Sequence, residues 1–405
     1  MANKLPKGWV EESLVKVSNI SSGNSAPQSS DFFTGGSHPF CRTSDVGKIH
    51  RSANFSDIKD HLNEKGIRGM RMFPKKTILF PKSGASTLLN HRVSLSVDSY
   101  VSSHLATIIP DNTKLVDNYL YYILCTVDAK DIVANSDYPS LKLSDIEKIK
   151  ILYPTEKKEQ EYIVDSLDTL ANMIKIRKET IALSKELIPA IFQEMFGDPI
   201  KNEKGWETDS LGSLCDVRDG THDSPKFVND GYPLITSKNL DNGLINFENV
   251  SYLSENDYNK INERSFVDDG DILYAMIGTI GNPVIVKKDR EFAIKNVALF
   301  KFQEDKNKVI NYYINTLLDV ITYDFKQKAV GGNQKFVSLG FLRKYTVPVP
   351  PLPLQQEFAN KVAEINEYIE AQQAELAQFE ELFQSTLQKA FTGELTYNFP
   401  RKDAK

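Results

Sequence analysis

The sequence contains little cysteine and no long apolar run. Its three cysteines, Cys41, Cys125 and Cys215, lie far apart, which excludes a disulfide framework and a cysteine zinc site. The longest apolar runs fall well short of the roughly 20 residues that a membrane span needs. The N-terminal stretch MANKLPKGWV also lacks the apolar segment of a signal peptide. We therefore expect a cytoplasmic protein without a membrane partner.

Motifs that carry chemistry are also missing. The chain has neither the glycine-rich cofactor motif nor the N/D-P-P-Y/F tetrad of a DNA-base methyltransferase. Residues 156–158 match a fragment of the E-x-K nuclease pattern, but they open a predicted helix instead of ending a strand. The six histidines form no H-x-x-x-H pair. These absences predict a chain that is not an enzyme by itself and that binds no metal or cofactor.

Length and charge point to several domains with uneven surfaces. The 405 residues exceed one ordinary domain, and 25% charged residues are typical of a globular protein. The net charge of -5 argues at first against a nucleic-acid partner. However, residues 65–92 and 326–344 carry Lys and Arg without a single Asp or Glu, whereas glutamates crowd residues 357–381. Basic and acidic surfaces are therefore predicted to be segregated.

An internal repeat decides the predicted architecture. The stretch KGWVEESLVKVSNISSG recurs as KGWETDSLGSLCDVRDG and matches Trp9 with Trp206, the only two tryptophans. A second match, IEKIKILYPTEKKEQEYI with LRKYTVPVPPLPLQQEFA, sets Gln160 against Gln356. The two matches agree to within one residue in their separation. The chain is therefore predicted to be a tandem duplication, in which each unit is a variable region followed by a helix.

Heptad spacing predicts a long helix at the end of each unit. Each helical segment has about 40 residues, which corresponds to roughly 60 Å if it is continuous. Pro189 predicts a kink or a break in the first helix. Two apolar stripes in one chain are predicted to pair as an antiparallel coiled coil, with the variable domains at opposite ends. The predicted seam consists of Ile163, Leu167, Leu170, Ile174, Ile181, Phe358, Val362, Ile365, Ile369, Leu376, Phe379 and Phe383.

The variable regions are predicted to be α+β domains. Short β-like runs such as TILF, DILYAMIG, NPVIVKK and VALFKF are separated by Gly, Asn, Ser and Asp. Each region ends in a helical pattern, NYLYYILCTV in the first and NYYINTLLDV in the second. Because recognition usually resides in loops on a rigid frame, we expect the loops of both domains to carry the function.

The candidate DNA-binding residues are polar or basic side chains in these loops. Acid-free basic segments suit phosphate contacts, whereas Arg, Lys, Asn and Gln can contact base edges in the major groove. Any single candidate is equally compatible with a solvated surface side chain, so the prediction depends on the clusters. The first domain offers Arg68, Arg71, Lys75, Lys82, His91 and Arg92. The second offers Thr221, His222, Ser237, Lys238, Asn239, Lys295, Asn296, Lys326, Asn333, Gln334 and Lys335.

The order of these motifs resembles the specificity subunits of type I restriction-modification systems. The motifs are KGW followed by S-L in each half, then DGTHDSP, PLITSKNL, GDILYAMIGTIGNPVIV and GGNQKFVSLGFLRKYTVPVPPLPLQQEFA, with FGD and FTGEL after the helices. The resemblance covers nearly the whole chain, although the first domain follows the family pattern more loosely. It implies two target-recognition domains at 1–152 and 201–350. These would alternate with two conserved helical regions at 153–200 and 351–405.

The resemblance also implies partners. Each domain would recognise one half of a split, asymmetric site in double-stranded DNA, and the helices would set the gap between the halves. Two methylase subunits would dock on the helices and methylate adenine with S-adenosylmethionine. Restriction subunits would join for cleavage and translocation driven by ATP, with Mg on the partner subunits and no cofactor in this chain. The alternatives are a non-catalytic coiled-coil scaffold whose basic loops do not contact DNA, and a fused nuclease or other enzyme acting alone.

Overall fold

The chain packs as two compact units that do not coincide with its halves. The computed structural model describes residues 5–133, 139–222, 225–302, 308–332, 334–397 and 399–400, except for the side chain of Ala85. Unit 1 comprises Met1–Arg177 and Glu375–Lys405, and unit 2 comprises Lys178–Ala374. Each unit therefore holds one variable region and one half of each long helix. Every helix in the described stretches is too short or too polar to cross a bilayer.

Two antiparallel or mixed sheets build the variable region of unit 1. The strands in the described residues are β1 (Trp9–Ser13), β2 (Ser18–Ser22), β3 (His38–Cys41), β4 (Arg51–Phe55), β5 (Asp60–Leu62), β6 (Ile78–Pro81), β7 (Arg92–Leu95), β8 (Tyr100–Val101), β9 (Leu105–Pro110) and β10 (Lys150–Pro154). The helices are α1 (Thr43–Ile49), α2 (Tyr119–Cys125), α3 (Leu143–Ile146) and α4 (Lys157–Phe196). The sheets have the orders β2-β9-β6-β7-β4 and β5-β3-β8, and β1 pairs with β10.

Unit 2 repeats this plan. Its strands in the described residues are β11 (Thr208–Ser210), β12 (Asp216–Asp219), β13 (Phe227–Val228), β14 (Tyr232–Ile235), β15 (Leu240–Asp241), β16 (Leu244–Ile245), β17 (Ser251–Leu253), β18 (Ile272–Ala275), β19 (Gly281–Ile285), β20 (Ala293–Ile294), β21 (Val297–Lys301) and β22 (Thr346–Pro348). Its helices are α5 (Leu211–Leu214), α6 (Glu255–Ser265), α7 (Asn311–Lys328), α8 (Leu339–Lys344) and α9 (Leu352–Thr392). The main sheets have the orders β12-β21-β18-β19 and β13-β17-β14-β20, while β11 pairs with β22 and β15 with β16.

The same arrangement of core strands recurs in the two variable regions. The antiparallel order β2-β9-β6-β7 of unit 1 corresponds to β12-β21-β18-β19 of unit 2. A parallel pair also recurs, because Cys41 opposite Val101 in β3 and β8 corresponds to Ile235 opposite Ile294 in β14 and β20. The predicted α+β class and internal repeat are therefore confirmed.

Sequence patterns located the central strands and helices of both cores. TILF corresponds to β6, DILYAMIG to β18, NPVIVKK to β19 and VALFKF to β21. The two predicted domain-ending helices are α2 and α7. The strands β6 and β18 are buried at every residue, which explains their continuous apolar runs.

The long helices pair in an antiparallel fashion. In unit 1, Ile163 and Leu167 near the start of α4 share a core with Leu387 and Ala390 near the end of α9. In unit 2 the opposite ends meet, and the end of α4 shares a core with the start of α9. Every predicted seam residue is buried or half-buried, whereas Leu183 beside the seam is 64% exposed. The predicted antiparallel coiled coil is therefore confirmed.

Proline does not interrupt the first long helix. Of the predicted kink or break at Pro189, the break is wrong, because α4 continues through this residue to Phe196, and the kink stays a prediction. Pro189 lies on the exposed side of the helix. Water can therefore satisfy the carbonyl group that loses its helical partner.

A buried glutamine joins the start of α9 to the variable region of unit 2. The Gln355 side chain is fully buried. Its Oε1 accepts a hydrogen bond from the backbone N–H of Ile310 at 3.0 Å. Its Nε2 donates to the carbonyl oxygens of Lys308 at 3.0 Å and Pro350 at 2.7 Å. All three partners are backbone groups, so the side chain fixes the path of two chain segments beside the helix.

The start of α4 has an equivalent buried glutamine in unit 1. Gln160 is also fully buried, and its Oε1 accepts from the backbone N–H of Val116 at 2.9 Å. Its Nε2 donates to the carbonyl oxygens of Lys114 at 3.0 Å and Pro154 at 2.8 Å. The bonding pattern is that of the glutamine in unit 2, group by group.

This equivalence corrects the predicted sequence match. The sequence match aligned Gln160 with Gln356, but the structural counterpart of Gln160 is Gln355. Gln356 is exposed and donates only to Asn360 on its own helix. Five residues separate Pro154 from Gln160, whereas four separate the equivalent Pro350 from Gln355, and a fixed shift across this short connection hides the deletion.

Candidate nucleic-acid interface

A tight backbone crossing organises the predicted loops of unit 2. The loop after β12 crosses the parallel pair at Gly220, where a Cβ atom would lie 2.2 Å from the carbonyl oxygen of Ile294. Only glycine allows this approach. The next residue, Thr221, forms a bridge to Lys295. The crossing therefore holds two loops together where β14 and β20 end.

Most predicted residues of the second domain converge on one groove beside this crossing. The groove has a volume of about 450 Å³, and apolar residues such as Phe227 form part of its wall. Gly278 and Thr279, from the turn between β18 and β19, line it as well. The predicted residues that line the groove are Ser237, Lys238, Asn239, Lys295, Asn296 and Gln334. Far separated positions in the sequence thus form one polar and basic concavity.

His222 lies at the edge of the same loop cluster. Its Nδ1 is 2.8 Å from Oδ1 of Asn296, and its Nε2 is 2.8 Å from Oδ2 of Asp219. The hydrogen bonds with Asn296 and Asp219 raise the pKa of His222 above its usual value. His222 and Thr221 also line a second groove with Lys260 and Arg264 of α6. Sequence reasoning missed these two cations, because α6 has an ordinary polar helix pattern.

Asn239 is a structural residue, which corrects its assignment as a DNA contact. It is buried, and its Oδ1 accepts from the backbone N–H of Thr236 at 3.0 Å and from the Thr236 hydroxyl at 2.9 Å. Its Nδ2 donates to the carbonyl oxygen of Asn246 at 3.0 Å. The amide therefore shapes the turn that presents Ser237 and Lys238 to the groove.

The remaining basic candidates of unit 2 lie apart from the groove wall. Lys326 is exposed in the last turn of α7, and Lys335 is exposed in the following loop. Asn333 lies outside the described residues. Neither lysine lines the groove, although the carbonyl oxygen of Lys335 accepts a hydrogen bond at 3.2 Å from the backbone N–H of Gly278, which does.

The corresponding loops of unit 1 carry different side chains. Register equivalence places Ser44 where unit 2 has Lys238, and Ser102 where unit 2 has Lys295. Asn24 stands at the position of Thr221 and bridges to Ser102. The two lysines of the unit 2 groove therefore have serines as counterparts in unit 1.

Arg71 supplies a cation to this face of unit 1. Its backbone N–H donates to Oδ1 of Asn24 at 2.8 Å, and Nδ2 of Asn24 donates back to the Arg71 carbonyl at 2.8 Å. The guanidinium donates to the Ser21 hydroxyl at 3.1 Å and lies 5.0 Å from the Phe73 ring centre. Arg71 is exposed despite these contacts. Arg71 lies between β5 and β6, where unit 2 instead has the helix α6 between β17 and β18, so the repeat alone could not reveal Asn24 as its anchor.

The other candidates of unit 1 divide by exposure. Arg68 and Lys75 are exposed, and Lys82 is half-buried. Arg92 is fully buried in β7, where its guanidinium donates to the carbonyl of His91 and stacks on Phe80. Burial lowers the pKa of Arg92 to about 9. The assignment of Arg92 to a DNA-binding surface is therefore wrong.

His91 is also removed from the candidate surface. It is buried, and its Nε2 lies 2.8 Å from Nδ1 of His50. Burial, reinforced by the charges of His50 and Arg92, lowers the pKa of His91 below its usual value.

Within the part of the chain that the structure describes, no group of His, Cys, Asp and Glu side chains could hold a metal ion.

Acid is expected to destabilise unit 1 through His91. Because its folded pKa is lowered, the unfolded chain binds the proton first, and stability falls as pH drops below about 6.5. The variant His91→Gln cannot take up this proton, so its unfolding free energy should decline less between pH 6.5 and 5. Denaturant titrations across this range measure the difference. The exposed His104→Gln serves as the control, and an identical acid profile for His91→Gln and the parent chain would contradict the assignment.

Comparisons with known proteins identify the family of the two repeated units and the fold that they share with solved structures. The family model "Type I restriction modification DNA specificity domain" matches twice, at residues 6–184 and 203–381. The type I restriction enzyme MjaIX specificity subunit of Methanocaldococcus jannaschii is 24% identical over 97% of this chain and 94% of its own length. The crystal structure of a type I restriction-modification S subunit from M. genitalium has a TM-score of 0.56 at 14% identity and covers 96% of this chain and 97% of its own. A chain from a study of complex assembly in a type I system has a TM-score of 0.56 at 16% identity, covering 97% of this chain and 100% of its own.

Proposed function

Because the chain belongs to the type I restriction-modification DNA specificity family, we propose that its two variable regions recognise the two unlike halves of a split site in double-stranded DNA. The observation that carries this proposal is the pair of equivalent loop clusters. Both lie where the parallel strand pair ends, yet one presents Lys238 and Lys295, whereas the other presents Ser44 and Arg71 and buries Ser102. A shared frame with unlike polar surfaces suits two different half-sites.

The long helices have the features of a spacer and a docking surface. The 40-residue helix α4 and the 41-residue helix α9 are each shared between the two units. Beside the seam, Met173 and Leu187 of α4 are exposed, and Tyr368 and Leu382 occupy the equivalent exposed positions of α9. Like apolar positions on both helices suit two copies of one partner. We assign these positions to the two methylase subunits.

The chemistry would then reside in those partners. Methylase subunits would bring S-adenosylmethionine to an adenine in each half-site, and restriction subunits would add cleavage and translocation with ATP and Mg. This chain would contribute the choice of sequence and the spacing of the halves. The cytoplasm, where the host DNA lies, is the compartment that this role requires.

Loss of a groove lysine should weaken DNA binding in a salt-dependent way. With the full chain and a duplex selected from a random-sequence library, Lys238→Ala should lower the slope of log Kd against log salt by about 1, the value for one phosphate contact. Lys361→Ala on α9, exposed and paired with Glu357, is the matched control and should change nothing. Binding that shows no salt dependence, or equal losses in both variants, would favour the scaffold alternative.

Recognition should also be modular. The double variant Arg68→Ala with Arg71→Ala should relax selection in one half of the selected site only, because both arginines belong to unit 1. Library selection with the variant reports each half separately. Equal relaxation of both halves would contradict separate reading by the two domains.

A further inference from the structure

Asn296 holds a constrained backbone at the wall of the unit 2 groove. Its φ of 56 lies in the left-handed region, which asparagine tolerates better than most residues. Its backbone N–H donates to the Thr221 carbonyl at 3.3 Å, and its own carbonyl accepts from the Ser237 hydroxyl at 3.4 Å. These contacts fix the backbone from which the Asn296 side chain projects. They leave open which end of the amide faces the groove.

His222 decides that orientation. The Asp219 carboxylate at Nε2 and the Asn296 Oδ1 atom at Nδ1 are both acceptors. With the amide in this orientation both ring nitrogens of His222 donate, so the arrangement is that of an imidazolium. In this state Oδ1 of Asn296 is engaged, and its Nδ2 makes no hydrogen bond to the described part of the chain. Asn296 consequently offers a hydrogen-bond donor, its Nδ2, to the groove.

Loss of one proton from His222 reverses the orientation of the Asn296 amide. Nε2–H remains with Asp219, because a carboxylate can only accept. Nδ1 then becomes an acceptor, and Asn296 must turn its Nδ2 toward His222 to keep the hydrogen bond. That rotation presents Oδ1 to the groove, so the groove meets an acceptor.

We infer that His222 is a positioning residue that selects which end of the Asn296 amide faces a DNA base. This role rests on the proposed function. With the imidazolium, the second domain reads an acceptor on the major-groove edge, such as guanine O6 or thymine O4. With the neutral ring, it reads a donor, such as the amino group of adenine or cytosine. Asn296 cannot use both ends of its amide on one adenine while His222 holds one of them.

The charges around His222 favour the imidazolium. Asp219 carries a carboxylate at hydrogen-bond distance, and Asp257 of α6 lines the same neighbouring groove. Arg264 opposes them, but it is paired with Asp219 at 2.5 Å. Lys260 of α6 and Lys295 of the adjoining loop add further positive charge. The hydrogen bonds to Asn296 and Asp219 outweigh the repulsion from Arg264, and the pKa of His222 is raised.

Sequence selection at two pH values tests the inference. The full chain is equilibrated with a random-sequence duplex library at pH 6.0 and at pH 8.5, and bound duplexes are sequenced. At one position in the unit 2 half-site, the preference should change from guanine or thymine to adenine or cytosine, by on the order of tenfold. His222→Ala should abolish the change and relax this position at both pH values. Asp219→Asn should move the midpoint of the change to lower pH, because it removes a group that stabilises the imidazolium.

The matched control is Asn242→Ala, which removes another left-handed asparagine of unit 2 that does not line the groove. It should preserve the wild-type response to pH. The same base preference at both pH values, or a His222→Ala profile equal to wild type, overturns the inference while selective binding leaves the proposed function standing. Failure of the wild-type chain to select any sequence in this half-site would overturn the proposed function itself.

Discussion

Replacing Gln355 with alanine is expected to destabilise unit 2 by about 3 kcal/mol or more, because a buried group left without its hydrogen bond costs about 1–3 kcal/mol. The substitution leaves the N–H of Ile310 and the carbonyls of Lys308 and Pro350 without their side-chain partner. Alanine has no polar side-chain group that could replace these hydrogen bonds. Amide hydrogen exchange of the full chain in denaturant measures the loss within unit 2.

The chain offers an adjacent control for this substitution. Gln356→Ala removes the same side chain one residue later, on the exposed side of α9. Its loss should change the unfolding free energy by no more than about 0.5 kcal/mol, as is usual for surface substitutions. Equal effects at the two positions would show that helix propensity, and not the buried hydrogen bonds, determines the result.

The corresponding variant of unit 1 tests the repeat. Gln160→Ala should lower protection in unit 1 by a similar amount, since it removes the same three hydrogen bonds. The loss should be confined to unit 1, where all four residues lie. A loss spread equally over both units would mean that the units unfold together.

The periodic part of the fold could be predicted from sequence because one chemical property repeats at regular spacing. The heptads of α4 and α9 give the seam directly, and apolar runs such as DILYAMIG give buried strands. Pairing of short, distant strands could not be predicted in this way. The pair β14 and β20 has two residues in register, and neither sequence contains a signal for its partner.

The candidate site could be predicted as a cluster but not residue by residue. The sequence does not distinguish the neighbours Lys238, which lines the groove, and Asn239, whose amide is hydrogen-bonded within the turn. Arg92 belongs to an acid-free basic segment, yet it stands on a strand whose residues are all buried. Charge in the sequence predicts a basic surface, but burial decides which cations reach it.

The aromatic junction between the long helices and the unit 2 domain gives the second large expected effect. Phe192 of α4 is fully buried. The centre of its ring lies 5.5 Å from the ring centre of Tyr313 in α7 and 5.7 Å from that of Phe358 in α9. Phe196 completes the cluster at 5.0 Å. Phe192→Ala would leave a cavity bounded by three elements that cannot all move inward. The expected destabilisation of unit 2 is about 3–5 kcal/mol.

Leu187→Ala on the same helix separates packing from helix propensity. Leu187 is 51% exposed, so its truncation should cost less than about 1 kcal/mol. Hydrogen exchange of the two variants should therefore differ most at the amides of α7 and of the β18 strand, which share the core of Phe192. Because this core also supports the turn between β18 and β19 at the groove, Phe192→Ala should weaken selection of the unit 2 half-site and spare the other half. If Phe192→Ala retained full protection in α7, the junction would not be the element that couples the helices to this domain.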